Sequence, residues 1–524
     1  MKIERINDNF SVSGQINIDD VQVLADQGVQ VIVCNRPDEE SPDHTRFEEI
    51  RGAADRLGIA THMIGFSPNS LTYEKSQSFA KVVASNKNIH AYCRTGSRAK
   101  IIYTGTETAT TQKVNNSVDN SFDVVIVGAG SAGIATAASL RKRNRKITIA
   151  LIDPSENHYY QPGWTMVGGG IFDAKSTRRK TRDLIPNGVT WLQKAATKFT
   201  PKDNTVGVSD GTEVVYGQLV IAPGLKINWA GIEGLEATLG KNGVTSNYRY
   251  DLAPYTWKLV QEMSKGKAIF TQPPMPIKCA GAPQKALYLS ASEWFRTKRI
   301  NDINIEFYNS GGVLFGVEAY VPALMSYIRK YQAKLKFSHT LTKVDGESKT
   351  AWFKTNNANG EEVTVETKFD FLHVCPPQCA PDIISESELS DAAGWLDVDP
   401  STLRHKKYKN IWGAGDVMNT ANAKTMAAAR KQAPVVAQNI ANVYAKKEKR
   451  VAYDGYGSCP LTVERGKVVL AEFTYGGRLA PSFPAWFNSG TKPTQFSWIL
   501  KAKILPHIYW QVMLKGREWM ASPT

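Results

Sequence analysis

Two kinds of residue in this sequence could do chemistry: cysteines beside charged residues, and glycines at tight intervals. The six cysteines are Cys34, Cys93, Cys279, Cys375, Cys379 and Cys459. They are too few and too irregularly spaced for a disulfide scaffold in 524 residues, and no paired Cys-x-x-Cys occurs, so no metal site is expected. Cys279 follows Lys278 and precedes Lys285 and the helix-like run ALYLSASEWF. A helix N-terminus and a nearby ammonium both favour thiolate over thiol, and the thiolate is the form that attacks disulfides and persulfides. Cys93 opens the loop Cys93-Arg94-Thr95-Gly96-Ser97-Arg98 after an apolar run. Backbone N–H groups of such a loop form an anion nest. Arg98 can hold an oxyanion bidentately, with Arg94 adding charge. Cys34 ends an early apolar run and reads as core; Cys459 reads as packing.

The glycines lie in VVIVGAGSAG. Gly128 allows the tight turn after a strand, Gly130 lets backbone approach a pyrophosphate, and Gly133 lets the following helix pack on the strand. The helix N-terminus would face the phosphates. A second strand, KITIALID, ends at Asp153, 25 residues after Gly128, where an acid would bind ribose hydroxyls. A second Gly-rich loop is missing between residues 260 and 345; the corresponding stretch holds Pro273, Pro274 and Pro276 ahead of Cys279. Proline has no N–H to offer a phosphate, so nicotinamide is a poor candidate reductant.

These residues need elements to hold them. The spacing predicts a small α/β unit over residues 1–106, with strands in VQVIVCNRP and IHAYC and helices in FEEIRGAADRLG and SQSFAKVVAS. A polar linker is expected over 107–121. Alternating strands and helices over 122–443 predict two interleaved Rossmann-like domains, and a basic, aromatic-rich region closes the chain over 444–524. The fold class is α/β throughout.

LVIAPG and NIWGAGDV resemble the later signatures of FAD-binding disulfide-reductase-like enzymes. That resemblance implies FAD as cofactor, with Gly415, Asp416 and Lys424 joining Gly128, Gly130, Gly133 and Asp153 in holding it. IKCAGAPQKALYLS, NHYYQPGWTMVGGG, YDGYGSCPL and AEFTYGG closely resemble sulfide:quinone oxidoreductases, from about residue 122 to the C-terminus. The resemblance implies sulfide and a ubiquinone-type quinone as substrates, a cysteine pair that becomes a persulfide, and release of sulfane sulfur to a thiol, sulfite or cyanide. That family often has its second redox cysteine directly after the Gly-Asp pair, where this chain has Val417. Cys379 or Cys375, in LHVCPPQCAPD, is the expected partner instead, because that strand end leads into the segment before Asp416. The six-residue loop from Cys93 to Arg98 has the length and pattern of rhodanese-like sulfurtransferases. Residues 1–106 resemble the phosphatase-like family also called beta-lactamase-hydrolase-like. A persulfide carrier is the favoured reading there, with a tyrosine-phosphatase-like or a docking module as alternatives. For the main domain the rivals are a single-chain NADH:quinone dehydrogenase and a polysulfide-sensing flavoprotein without turnover.

The formal net charge is +15. Residues 444–524 hold 12 Lys and Arg against 5 Asp and Glu, together with Phe483, Trp486, Phe487, Phe496, Trp498, Tyr509, Trp510 and Trp519. They read as two short amphipathic helices broken at Pro506, lying in the plane of a membrane. No nucleic-acid motif accompanies the charge. With no apolar leader and no stretch long enough to span a bilayer, the expectation is a bacterial-type cytoplasmic protein, peripheral on the inner face of the cell membrane.

Overall fold

The computed structural model describes residues 1–41, 44–67, 71, 73–85, 87–104 and 120–523. The expected linker lies outside the described residues up to residue 119. The chain divides into two compact units, one built on Met1–Asn120 and the other on Ser121–Val208 with Glu213–Thr524.

The first unit carries a five-stranded sheet in the order Ile3–Asn7, Phe10–Ser13, Ile89–Tyr92, Val31–Cys34, Ala60–Met63. Its first pair is antiparallel and the remaining pairs are parallel. Val31–Cys34 and Ile89–Tyr92 are buried throughout, as continuous apolar runs in the middle of a parallel sheet require. Helices Phe47–Arg56 and Tyr73–Val83 fall where the spacing put them. The loop after Ile89–Tyr92 runs into a helix over 97–104, which places Cys93 at the carboxyl end of a central strand.

In the second unit, Ser121–Val127 lies between Ile149–Ile152 and Glu213–Ile221, all parallel. Ile411–Gly413 pairs with the end of Glu213–Ile221 and delivers Gly415 and Asp416 to the same sheet edge as the glycine turn. Helix Ser131–Arg143 is buried over nearly its whole length, because it sits between this sheet and the long helix Met426–Tyr444. Its alanines permit that close packing. A second parallel sheet has the order Val244–Thr245, Phe371–His373, Gly266–Gln272, Ile303–Asn309, Lys334–Phe337. Helix Ala282–Arg296 follows Gly266–Gln272, with Cys279 in the turn between them.

The C-terminal region departs from expectation. Residues 444–524 belong to the second unit, where the hairpin Gly457–Glu464 and Lys467–Phe473 packs on helix Ala282–Arg296. Pro506 does not break the tail. A continuous helical run extends from Gln495 to Lys515, with wide π turns at Leu500–Ile504 and Ile508–Val512 on either side of the proline. Tyr509 and Trp510, expected as membrane anchors, are buried in the main core with Met513 and Leu514. Amphipathic composition cannot distinguish a bilayer from the chain's own helix as the apolar partner. Here the helix Ser131–Arg143 is that partner: Gly516, at φ +64°, brings the tail backbone so close that a Cβ there would lie 2.7 Å from Ala138 O. No helix among the described residues is long and apolar enough to cross a membrane.

Candidate functional site

Cys279 occupies the left-handed region at φ +53°, a conformation that costs a non-glycine residue about 1–3 kcal/mol. Two backbone bonds hold it there: Cys279 N–H donates to Lys424 O at 2.7 Å, and Ala282 N–H donates to Cys279 O at 2.7 Å. The sulfur is thereby aimed at the hairpin, where Cys459 Sγ lies 3.4 Å away across 180 residues of sequence. Gly281 makes that approach possible, since a Cβ there would stand 2.6 Å from Cys459 Sγ and 2.3 Å from Leu461 Cδ2.

Lys285, one turn into the following helix, donates to Cys279 Sγ at 3.0 Å and stands 3.9 Å from Cys459 Sγ. The hydrogen bond from the Cys459 thiol, then the Lys285 charge and hydrogen bond, hold Cys279 well below the usual thiol range. Cys459 is held well above it, first by its bond to Cys279 and then by burial. Burial alone would push Lys285 down, but the charge on Cys279 and Cys459 raises it. Lys501, from the C-terminal run, is buried beside this group. Burial and then the Lys285 charge push it down to about 7.

Cys375 packs in the same apolar cluster as Cys279, but among the described residues neither it nor Cys379 makes a sulfur contact with Cys279. Cys375 is buried, with Gln378 Nε2 at 3.8 Å from its sulfur, and burial pushes it up to about 12. Cys379 sits on the short strand Gln378–Cys379, its sulfur 4.0 Å from Lys226 O. Val417 is fully buried in the main core. Sequence spacing hid Cys459, because a hairpin contact depends on how the C-terminal region folds back; the visible signal was its place within YDGYGSCPL.

One cavity of about 850 Å³ joins Cys279 to the glycine turn; Gly130, Ser131, Cys279, Lys285, Gly415, Asp416 and Lys424 all line it, as do Ser458 and Pro460 on either side of Cys459. Gly130 has open space where a Cβ would project, as a turn facing a pyrophosphate needs. Gly128 and Gly133 serve packing: a Cβ would meet Ala222 O at 2.4 Å in one and Gly128 O at 1.8 Å in the other. Asp153 acts on the turn itself, accepting Ala129 N–H at 2.7 Å and Ser155 N–H at 2.8 Å. Lys424 Nζ donates to Asp416 O at 2.7 Å and Met418 O at 2.6 Å. Burial lowers it to about 8, against the pull of Asp416. Tyr160 Oη, Trp164 Nε1 and both amide atoms of Asn247 are buried on residues of the same cavity wall, with no hydrogen-bond partner among the described residues. The open turn at Gly130, at the N-terminus of helix Ser131–Arg143 and with Gly415 and Asp416 on the same wall, is shaped for a dinucleotide, so the residues fit FAD.

In the first unit, Gly96 N–H donates to Cys93 Sγ at 3.2 Å, and the sulfur is buried. Arg98 is committed elsewhere: Nη2 donates to the Glu40 oxygens at 2.7 and 2.9 Å, and Nη1 to Phe66 O at 2.7 Å. Arg36 Nε also reaches Glu40, at 2.8 Å. The hydrogen bond from Arg98 chiefly holds Glu40 below the usual carboxylate range. Arg94 is exposed.

Residues 122–260 match the family described as pyridine nucleotide-disulphide oxidoreductase. The mitochondrial sulfide:quinone oxidoreductase of Dictyostelium discoideum is 39% identical over 417 residues, covering 79% of this chain and 90% of that one. The chain belongs to the sulfide:quinone oxidoreductase family. It is an FAD-binding family. The crystal structure of the Aquifex aeolicus sulfide:quinone oxidoreductase has the same fold, with a TM-score of 0.62 at 20% identity over 75% of this chain and 91% of that chain. Residues 2–109 match the phosphatase-like domain of the beta-lactamase hydrolase-like protein family. The Xylella fastidiosa (Temecula1) protein of that name is 32% identical over 104 residues, which is 20% of this chain and 24% of that one.

Proposed function

We propose that the chain oxidises sulfide at Cys279 and Cys459 and delivers the electrons through FAD to a ubiquinone-type quinone. The observation that carries this reading is the 3.4 Å approach of the two sulfurs beside Lys285, with Cys279 and Lys285 on the wall of the cofactor cavity. Hydrosulfide is an anion, and Lys285 supplies positive charge where it must arrive. In the oxidised, sulfur-bridged pair, hydrosulfide attacks one sulfur; a sulfur–sulfur bond forms as the bridge breaks, leaving a persulfide and a thiolate. Lys285 stabilises the departing thiolate on Cys279. The outer persulfide sulfur passes to a nucleophilic acceptor, a thiol, sulfite or cyanide, and leaves Cys279 and Cys459 as thiolate and thiol. FAD, when bound, would accept the two electrons released as these two sulfurs re-form the bridge, and quinone would be the final oxidant.

Cys93 handles this sulfane sulfur in the first unit. Its Gly96 N–H bond suits a sulfur anion, and the pairing of Arg98 with Glu40 reduces the charge that a phosphate dianion would demand. The phosphatase reading keeps the support of the family description and of the same nest.

The protein is peripheral on the inner face of a bacterial cell membrane. Trp486 is 87% exposed, and Phe487, Ile499, Ile504, Trp519 and Met520 are exposed near Lys503 and Arg517. Exposed apolar side chains flanked by cations suit a lipid surface. Phe483, Leu500, Leu505 and Trp519 line the cavity and give quinone an apolar entrance.

The test is steady-state reduction of a short-chain quinone by the purified protein with sulfide or NADH. Sulfide-driven turnover without NADH-driven turnover is the expected result. NADH-driven turnover alone would return the reading to an NADH:quinone dehydrogenase, and flavin bleaching without turnover would return it to a sensor.

A further inference from the structure

The C-terminal run sends one side chain into the dinucleotide turn. Tyr509 is fully buried, with its hydroxyl 2.7 Å from Ser131 Oγ and 2.5 Å from His158 Nε2. His158 Nδ1 lies 2.9 Å from Ala129 O. A carbonyl only accepts, so His158 carries its proton on Nδ1, and burial keeps the ring neutral by lowering it to about 4. Nε2 therefore accepts from Tyr509, and the Tyr509 oxygen accepts from Ser131. The chain of donors runs Ser131 to Tyr509 to His158 to Ala129.

Its two ends, Ala129 and Ser131, flank Gly130, the open glycine of the turn. Asp153 holds the same turn from the strand side through Ala129 N–H. Further along the tail, Glu518 accepts Arg143 Nη2 at 2.8 Å and Ser139 Oγ at 2.9 Å, both from the helix that begins at Ser131. The Arg179 guanidinium lies 4.3 Å from the centre of the Trp510 ring. The segment 508–518 thus grips the turn at one end of the dinucleotide helix and the helix's last turn at the other.

We propose that Tyr509 is a positioning residue for FAD: through Ser131 and His158 the C-terminal segment sets the phosphate-binding turn in its bound shape, and FAD retention depends on it. A turn already ordered loses less entropy when the ligand arrives, which slows its release. The inference rests on FAD binding by this fold and not on sulfide chemistry, so it stands or fails separately from the activity.

The experiment follows FAD fluorescence on dilution of full-length holoprotein, with the melting temperature of the apoprotein measured alongside. Tyr509→Phe, which removes both hydrogen bonds of the hydroxyl, is expected to release FAD about three- to tenfold faster. Glu518→Gln, at the far end of the grip, is expected to speed release about twofold. A purely structural role would lower the melting temperature of apo and holo forms alike and leave release unchanged. Wild-type release from both variants would overturn the proposal. Should Tyr509→Phe fail to fold, Glu518→Gln with Ser131→Ala, which breaks the first link without stranding His158, decides it by the same rate.

Discussion

The molecule holds two cysteine sites that solve one electrostatic problem differently. At Cys279 the counter-charge is Lys285, buried and bonded to the sulfur, with a second thiol supplying a hydrogen bond. At Cys93 the loop's buried arginine is spent: Arg98 is tied to Glu40, and the sulfur's bond comes from backbone N–H. A thiolate stabilised by a full charge next to a partner thiol suits redox chemistry. A sulfur cradled by a peptide dipole suits carrying and releasing a group. The difference teaches that a shared residue type says little until its counter-charge is located.

The sharpest way to break this contrast is to remove one sulfur at each site. Cys459→Ser is expected to slow sulfide-driven flavin bleaching by roughly a thousandfold or more, whereas Cys93→Ser leaves bleaching unchanged and loses sulfur transfer to cyanide or sulfite. Stopped-flow absorbance and a thiocyanate assay read the two effects. Next comes the counter-charge. In Lys285→Met, alkylation of Cys279 at pH 7 should slow by roughly tenfold or more. The sign follows from the lowered Cys279: in the wild type the thiolate persists as pH falls through the ordinary thiol range, and in the variant its reactivity falls there.

A smaller effect tests the approach of the two sulfurs. Gly281→Ala should destabilise the fold by about 1–3 kcal/mol, seen by denaturant melting, because its Cβ must displace Cys459 or Leu461. The smallest concerns Glu40. Its folded carboxyl is held low, so its contribution to stability is present at neutral pH and is lost as pH falls through that lowered value; Glu40→Gln should flatten this acid limb in a melting series.

Much of the fold was legible because it rests on short-range patterns. The glycine turn, the buried strands and the Cys279 turn each announce themselves within about ten residues. What stayed hidden depends on chain segments far apart. Cys459 meets Cys279 through the one gap left by Gly281, and no local spacing records that. The tail's aromatics read as lipid anchors until Tyr509 and Trp510 are seen against helix Ser131–Arg143, where small alanines and Gly516 make room. Asp153 was recognised at the right turn, whose backbone it holds through Ala129 N–H.

The central claim is that Cys279 and Cys459, and not Cys375 or Cys379, form the sulfide-oxidising pair. Anaerobic mixing of sulfide with the four single Cys→Ser holoproteins, followed by flavin absorbance, tests it most directly. The account predicts that Cys279→Ser and Cys459→Ser fail to bleach while Cys375→Ser and Cys379→Ser bleach at close to the wild-type rate. Normal bleaching in Cys459→Ser, or its loss in Cys379→Ser or Cys375→Ser with FAD still bound, would contradict it.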